Sequence, residues 1–347
     1  QGYLLTFESD RLAGSIKFGQ SDQIAFDIDR LLLPVYNDFA AVDEPSKKNW
    51  LLDDPISLEL GAMLPSMSIS IESIFLGTED YGSWSFNLEP DVAGIELTSV
   101  DGSIRGVSFK EASVKWDYQS NRTSFANELS INDLGKVLPL WGFAPGVETS
   151  SLAMNVDLSW PGSPLNVELF STEGEVGIQA GAGRFLDEET SANGLRLLSI
   201  FTPYAIMKRI NNFDFSDIIG EGMSFDSLSG TTQISYGELE FTQPLIVESR
   251  SSTFEFGGKI SLIDDSLNNE LIVTLPVSKS LPWYGLYLAL ANPVAGLGVV
   301  IGEQILRKPI EQFSSAKFQI EGTFEDPSVR FQSLWDTEIA LPPKTSE

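Results

Sequence analysis

Apolar and polar residues alternate with a period of two along most of this chain, and that regularity restricts it to strands with one wetted face. In the segment 23–29, Ile24, Phe26 and Ile28 share one side while Asp27 and Asp29 take the other, because successive strand side chains point to opposite faces of a sheet. The same pattern predicts strands over Thr6–Asp10, Ser15–Phe18, Ile56–Leu60, Met67–Ile74, Trp84–Leu88, Gly94–Leu97, Gly102–Phe109, Ala112–Tyr118 and Arg122–Leu129. Leu152–Trp160 and Leu165–Phe170 flank a Pro161-Gly162-Ser163-Pro164 turn, and Val176, Ile178 and Ala180 alternate with glycine and glutamine. Pairs such as Asp101-Gly102 punctuate the strands as turns, giving a meander. Asn37–Pro55 is acidic, lysine-containing and punctuated by proline, and reads as a long loop. Before residue 190 the pattern allows only a short helix, over Asn132–Leu138.

The period changes near Asn193. Gly194–Ile210 has apolar residues at helical spacing, a kink at Pro203, and Lys208 and Arg209 near its end, where cations suit the helix dipole. Strands return at Thr232–Tyr236, Leu239–Phe241, Thr253–Leu262 and Leu271–Val277. Then, from Ser280 to Gly302, no residue is charged. About 20 apolar residues suffice to cross a bilayer, but Pro282, Asn292 and Pro293 interrupt this stretch and Gly296 and Gly298 loosen it. It reads as two short apolar helices meeting near Asn292-Pro293, the second running to about Lys308. Two roles remain open for it. One is a buried helical hairpin packed on an end of the sheet. The other is a plug or membrane-touching tip, with Trp283, Tyr284, Leu286, Tyr287, Leu288 and Leu290 as the cap or tip residues. A closing strand pair, Ala316–Phe324 and Ser328–Gln332, and a polar tail follow.

Composition removes several functions. The net charge of −27, from 49 acidic and 22 basic residues, argues against nucleic acid as a partner, since phosphate binding needs a basic patch. It also confines any contact with an anionic bilayer to local apolar surface. The chain has neither cysteine nor histidine, so disulfides, thiolate or imidazole metal sites, and Ser-His or Cys-His nucleophiles are excluded. Acidic pairs exist at Asp53-Asp54, Glu188-Glu189 and Asp264-Asp265, the residue type that glycoside hydrolysis uses. Adjacent acids on a strand face opposite ways, however, and so many acids produce such pairs by chance. Calcium-loop, P-loop, nucleophile-elbow and dinucleotide motifs are absent. The expectation is a non-enzyme with no catalytic residue, metal or cofactor. The start at Gln1 suggests a fragment or processed chain.

Several motifs carry a family resemblance. The block 212–230, NFDFSDIIGEGMSFDSLSG, resembles the DFSD…G…FD…G signature of the bacterial YhdP family, among the AsmA-like and TamB-related envelope proteins. Trp160-Pro161-Gly162-Ser163-Pro164 resembles that family's WPG-P turn. Gly183-Arg184-Phe185-Leu186 followed by Leu195-Arg196-Leu197-Leu198 resembles its helix entry. Asn292-Pro293-Val294-Ala295-Gly296 and Lys317–Pro327 resemble its ending. The set runs over roughly residues 100–335; before that only the strand-and-glycine texture is shared.

The resemblance implies a periplasmic protein of a Gram-negative bacterium, anchored through the rest of its own chain in the inner membrane, whose strands form an apolar groove that moves phospholipid. It looks like the C-terminal part, with the outer membrane or an outer-membrane protein as partner at the C-terminal end. The implied fold is mainly β: a long curved antiparallel sheet forming an apolar groove, with short helices near 194–210 and 281–313 capping its C-terminal end. The implied organisation is β-groove strands over 1–190, an AsmA-like C-terminal region with helical insertions and closing strands over 191–335, and a polar tail over 336–347. Candidate lipid-lining residues are Val176, Ile178, Phe254, Phe256, Leu271, Val273, Leu275, Phe318 and Ile320.

A diacyl lipid exposes roughly thirty methylenes, on the order of 20 kcal/mol or more of unfavourable transfer. A sheet with one apolar face can shield them. Periodicity alone does not separate such an open groove from a filled core, and an extracellular β-sandwich that binds polysaccharide through tryptophan rings is the competing reading. That reading requires a row of exposed rings on one sheet face.

Overall fold

The computed structural model describes residues 3–19, 24–33, 54, 56–141, 145–167, 169–186, 222–250, 252–274, 315–324 and 326–335. Strands dominate them. The first eight are β1 (Tyr3–Glu8), β2 (Leu12–Phe18), β3 (Ile24–Leu33), β4 (Met67–Leu76), β5 (Glu79–Pro90), β6 (Gly94–Ile104), β7 (Val107–Asp117) and β8 (Arg122–Ile131). There follow β9 (Val147–Thr149), β10 (Leu152–Pro161), β11 (Glu173–Ala180), β12 (Gly183–Leu186), β13 (Gly222–Phe225) and β14 (Ser227–Ser235). The last are β15 (Glu238–Glu248), β16 (Thr253–Ser261), β17 (Ser266–Thr274), β18 (Ser315–Thr323) and β19 (Pro327–Trp335). The described helices are short: α1 (Leu58–Gly61), α2 (Leu134–Leu140) and a single 3-10 turn at Leu169–Ser171.

Sixteen strands form one sheet in the order β1 to β8, β10, β11, then β14 to β19. The order has two ends, so the sheet is open and not a barrel. β13, β12 and β9 form a separate three-stranded sheet. The mainly β expectation holds, and the two helices expected near 194–210 and 281–313 lie outside the described residues.

Four local readings change. The sheet is mixed rather than wholly antiparallel, because β3 and β4 pair parallel, Ile24 opposite Met67 through Leu33 opposite Leu76. A parallel neighbour needs a crossover of a dozen residues or more, and residues 34–66, which include the predicted long loop, supply it. Ile56–Leu60 alternates like a strand but contains the start of α1, where the Ser57 side chain accepts a hydrogen bond from the Leu60 amide and caps the turn. Asp101-Gly102 is not a turn: β-bulges absorb it within β6, and the hairpin closes at Arg105-Gly106. Both of those residues have positive φ, 44° and 83°, as a two-residue hairpin loop demands. The described residues of Leu165–Phe170 form no strand, and Leu169–Ser171 makes the 3-10 turn.

The chain separates into two compact units. Unit 1 comprises Gln1–Asn132, Ala153–Gly177 and Gln233–Gly237; unit 2 comprises Asp133–Leu152, Ile178–Thr232 and Glu238–Glu347. Each has its own apolar clusters.

Candidate functional site

In unit 1 the strand registers align the apolar residues into rows across the sheet. One row runs Leu5, Ile16, Phe26, Ile69 and Phe86. A second runs Phe18, Ile24, Met67, Leu88, Leu97, Val114 and Phe125. A third runs Ile28, Ile71, Trp84, Gly102, Phe109 and Leu129. Alternation then puts Lys17, Asp27, Ser68, Ser85 and Asp101 on the opposite face, where Lys17 pairs with Asp27 at 2.5 Å. Such exposed pairs add little stability, about 0–1 kcal/mol, but they keep that face wet.

The apolar face of unit 1 is only partly covered. Ile16, Phe26, Ile69 and Phe86 are half-buried, while Leu5 remains 53% exposed and Phe18 40%. A monomeric domain rarely leaves a contiguous apolar area of this kind without a binding role. Cover is present at the part built by Leu88, Ile95 and Trp116, where Ile56 and Leu64 pack against these three, as do Met67, Phe86, Leu97 and Tyr118. α1 sits directly on the indole: a Cβ on Gly61 would come within 2.6 Å of Trp116 Cζ3 and 3.2 Å of Tyr118 Oη. Burial, and then the charge of Asp91, hold the Tyr118 phenol above its ordinary pKa, and its hydroxyl has no partner among the described residues.

The segment carrying α1 is tied down at Asp54. Its carboxylate accepts from the Ser163 amide at 2.7 Å, from the Ser163 hydroxyl at 2.5 Å and from the Ile56 amide at 3.0 Å. Ser163 belongs to the Trp160-Pro161-Gly162-Ser163-Pro164 turn, which is itself fixed. Trp160 Nε1 donates to the Ser163 carbonyl at 3.0 Å, Thr123 Oγ1 donates to the Gly162 carbonyl at 2.7 Å, and the Gly162 amide donates to the Asn121 carbonyl at 2.8 Å. Gly162 has φ +88°, and a Cβ there would lie 2.5 Å from Asp54 Oδ2. Only glycine lets the carboxylate approach this closely.

In unit 2 the same alternation gives a filled interior. Leu245, Phe256, Leu271, Phe318 and Phe331 form one cross-strand row, and Val247, Phe254, Val273 and Ala316 the next. Their other face carries Glu255, Lys317, Glu270 and Arg330, with Lys317 paired to Glu270 and Arg330 to Glu321. Phe185, Met223 and Phe225 of the three-stranded sheet belong to the same cluster as these rows and are 1–3% exposed. The Phe185 and Phe225 rings meet with centroids 5.0 Å apart, tilted at 45°. Asn269 interrupts the interior: it is 1% exposed, donates from Nδ2 to the Gly257 carbonyl at 3.1 Å, and leaves Oδ1 without a partner among the described residues.

Comparison with known proteins bears on what these faces are for. The family described as YhdP protein matches residues 1–329. The chain belongs to the YhdP family. That match reaches strands β1 to β6, where the sequence motifs of the family are not legible. Among curated proteins, the chain is similar to the "Intermembrane phospholipid transporter YhdP" of Escherichia coli (strain K12), with 28% identity over 244 residues. The matched region is 69% of this chain and 19% of that relative, so the chain spans about a fifth of the length of the curated relative it matches. No solved structure gives a significant match.

Within this YhdP-family chain the nine candidate lining residues fall into three groups. Phe254, Phe256, Leu271, Val273, Phe318 and Ile320 are 0–1% exposed in the unit 2 cluster. Val176 and Ile178 are half-buried on β11, and Ile178 packs against the unit 2 cluster. Leu275 lies outside the described residues, as do Trp283, Tyr284, Leu286, Tyr287, Leu288 and Leu290. Among the described residues no helix is long and apolar enough to cross a membrane. Trp84 is half-buried on the unit 1 apolar face, Trp116 is 1% exposed and Trp160 5%. These three do not make the row of exposed rings that polysaccharide binding requires.

Sequence reasoning overlooked the open rows of β1 to β5 and the role of Asp54. The rows were signalled by the alternation of Phe26, Ile69 and Phe86 with serine and aspartate. Asp54 had no sequence signal beyond its place in an acidic pair.

Proposed function

We propose that this chain shields phospholipid acyl chains on an apolar β-groove during their passage between the inner and outer membranes of a Gram-negative envelope. The observation that supports it most directly is the continuous, partly exposed apolar face of unit 1, backed by a charged face that keeps the sheet in water. Acyl chains laid on rows such as Leu5, Phe26, Ile69 and Phe86 exchange water for apolar contact at about 0.8 kcal/mol per methylene. Membership of the YhdP family, and the phospholipid transport for which the E. coli relative is named, agree with this reading.

The proposal places the chain in the periplasm, as the C-terminal, outer-membrane-proximal part of a protein anchored elsewhere in the inner membrane. It acts as a conduit, not a catalyst. In this scheme Val176, Ile178 and Leu275 belong to the apolar wall, whereas Phe254, Phe256, Leu271, Val273, Phe318 and Ile320, 0–1% exposed, form the packed interior of unit 2. Residues 281–313, with Trp283, Tyr284, Leu286, Tyr287, Leu288 and Leu290, provide the cap or the contact with the outer membrane or one of its proteins.

Native mass spectrometry of protein purified from bacterial membranes tests the reading. Phospholipid adducts are expected on the wild-type chain and are expected to be lost from a Phe26→Asp/Phe86→Asp variant that retains its β-sheet circular dichroism. A wild-type chain free of phospholipid under these conditions would refute the conduit.

A further inference from the structure

Because β3 and β4 pair parallel, residues 34–66 connect the end of β3 to the start of β4 at the opposite end of the strand pair. The described end of that crossover, Asp54 and residues 56–64, lies on the apolar face. It contributes Ile56 and Leu64 to the cluster with Leu88, Ile95 and Trp116. The seat it occupies is continuous with the open rows, since Leu88 and Leu97 stand in the same cross-strand row as Met67 and Ile24. Two occupants of like chemistry therefore compete for one surface: the aliphatic side chains of the strap, or an aliphatic ligand.

The contacts that hold the strap differ in kind from the contacts beneath it. Beneath α1 they are apolar and undirected, and an acyl chain supplies equivalents at little net change. At Asp54 they are directed. Two hydrogen bonds run to a single carboxylate from one residue, Ser163, in a turn immobilised by the Trp160, Thr123 and Gly162 bonds. Charge-assisted bonds of this type are about twice as strong as neutral ones, and an acyl chain provides no replacement for them. The helix itself is a single turn, too short to persist without its seat.

We propose that residues 56–64 are a displaceable strap over an acyl-chain subsite formed by Leu88, Ile95 and Trp116, latched by Asp54 on Ser163. This rests on the lipid reading above and adds where a chain is admitted and what controls admission. With the latch made, the subsite is closed and lipid is confined to the Leu5 to Phe86 side. With the latch broken, the strap and an acyl chain exchange on the Trp116 seat.

The test uses the whole chain and phosphatidylethanolamine carrying a diazirine at the end of one acyl chain. The labelled residues are mapped by mass spectrometry after photolysis. In the wild type, label is expected on Phe26, Ile69 and Phe86 and only weakly on Leu88, Ile95 and Trp116. Asp54→Ala is expected to raise labelling of the latter three about tenfold and leave the first set unchanged. Ser163→Ala, which keeps the backbone amide bond and removes the hydroxyl bond, should raise it by a smaller factor. Tyr118, which lies under α1, supplies a lipid-free readout: its alkaline ultraviolet titration should move down towards that of an ordinary tyrosine in Asp54→Ala. Labelling of the seat that is equal in all three proteins, with Tyr118 unmoved, overturns the strap while leaving the conduit standing. Absence of label anywhere in any of the three removes the conduit, and the strap with it. Should Asp54→Ala lose its sheet signal, Ser163→Ala decides alone: no rise on Leu88, Ile95 and Trp116 overturns the proposal.

Discussion

Truncating one leucine in each unit measures directly whether one apolar face is open and the other filled. Leu271 is 0% exposed, set between Phe256 and Phe318 in its row. Leu271→Ala therefore removes a fully buried isobutyl group and leaves a cavity, and leucine truncations of that kind cost about 3–4 kcal/mol. Leu5 lies on the open row of unit 1 and is 53% exposed. Full burial of a leucine is worth about 1.5–3 kcal/mol, so the half that Leu5 has lost to its neighbours amounts to about 1 kcal/mol, with no cavity to add. Urea denaturation, followed by hydrogen-exchange mass spectrometry to read each unit separately, turns these values into midpoint shifts. With a slope near 2 kcal/mol per molar urea, the shift is about 1.5–2 M for Leu271→Ala in unit 2 and about 0.5 M for Leu5→Ala in unit 1. Lipid occupancy should respond in the opposite order, falling for Leu5→Ala. Equal midpoint shifts in the two units would mean that Leu5 is covered, and the distinction between an open and a filled face would fail.

Thr123→Val should destabilise unit 1 by about 1–3 kcal/mol, because the Thr123 hydroxyl is buried and its removal leaves the Gly162 carbonyl with one donor fewer; a urea midpoint that does not move contradicts the fixed turn described above. Alkaline titration of the wild type should show a phenol ionising above the ordinary tyrosine value, assigned to Tyr118 by its loss in Tyr118→Phe. Because burial and the charge of Asp91 raise this pKa in the folded state, the stability linked to it is complete below the unfolded value of about 10 and declines as pH rises through the folded one. A stability of unit 1 that increased across that range would contradict the placement of Tyr118 under α1.

The strands were legible because alternation is a local property: Ile24, Phe26 and Ile28, or Leu271 and Val273, display their shared face within a few residues. Local likeness also misled. Ile56, Leu58 and Leu60 alternate as a strand does, yet the Ser57 side chain bonds to the Leu60 amide and turns the segment into α1. The parallel pairing of β3 with β4 leaves no mark on either strand, since both pairing modes show the same period of two. Nor does periodicity report what lies above a face. Ile69 and Phe86 on one side, and Leu271 and Phe318 on the other, follow the same pattern, but the former are half-buried and the latter are 0–1% exposed. That difference arises from residues distant in sequence, Phe185, Met223 and Phe225. Asp54 and Ser163, 109 positions apart, were not a recognisable pair for the same reason.

The parallel pairing of β3 with β4 also divides the folding of unit 1 in time. β4 to β8 are successive hairpins whose partners are near in sequence, whereas β3 meets β4 only after chain closure across residues 34–66, at an entropic cost of about 3 kcal/mol. At roughly 5–20 residues per second of synthesis, β1 to β3 emerge and wait about 2–7 s for those residues to be made, with the β3 edge unpaired and Leu5 and Phe18 in contact with water. The nascent chain is most exposed to pairing with a second copy of itself during this interval, and the adjacent charges Asp27, Asp29 and Arg30 on β3 are the kind that discourage edge-to-edge association.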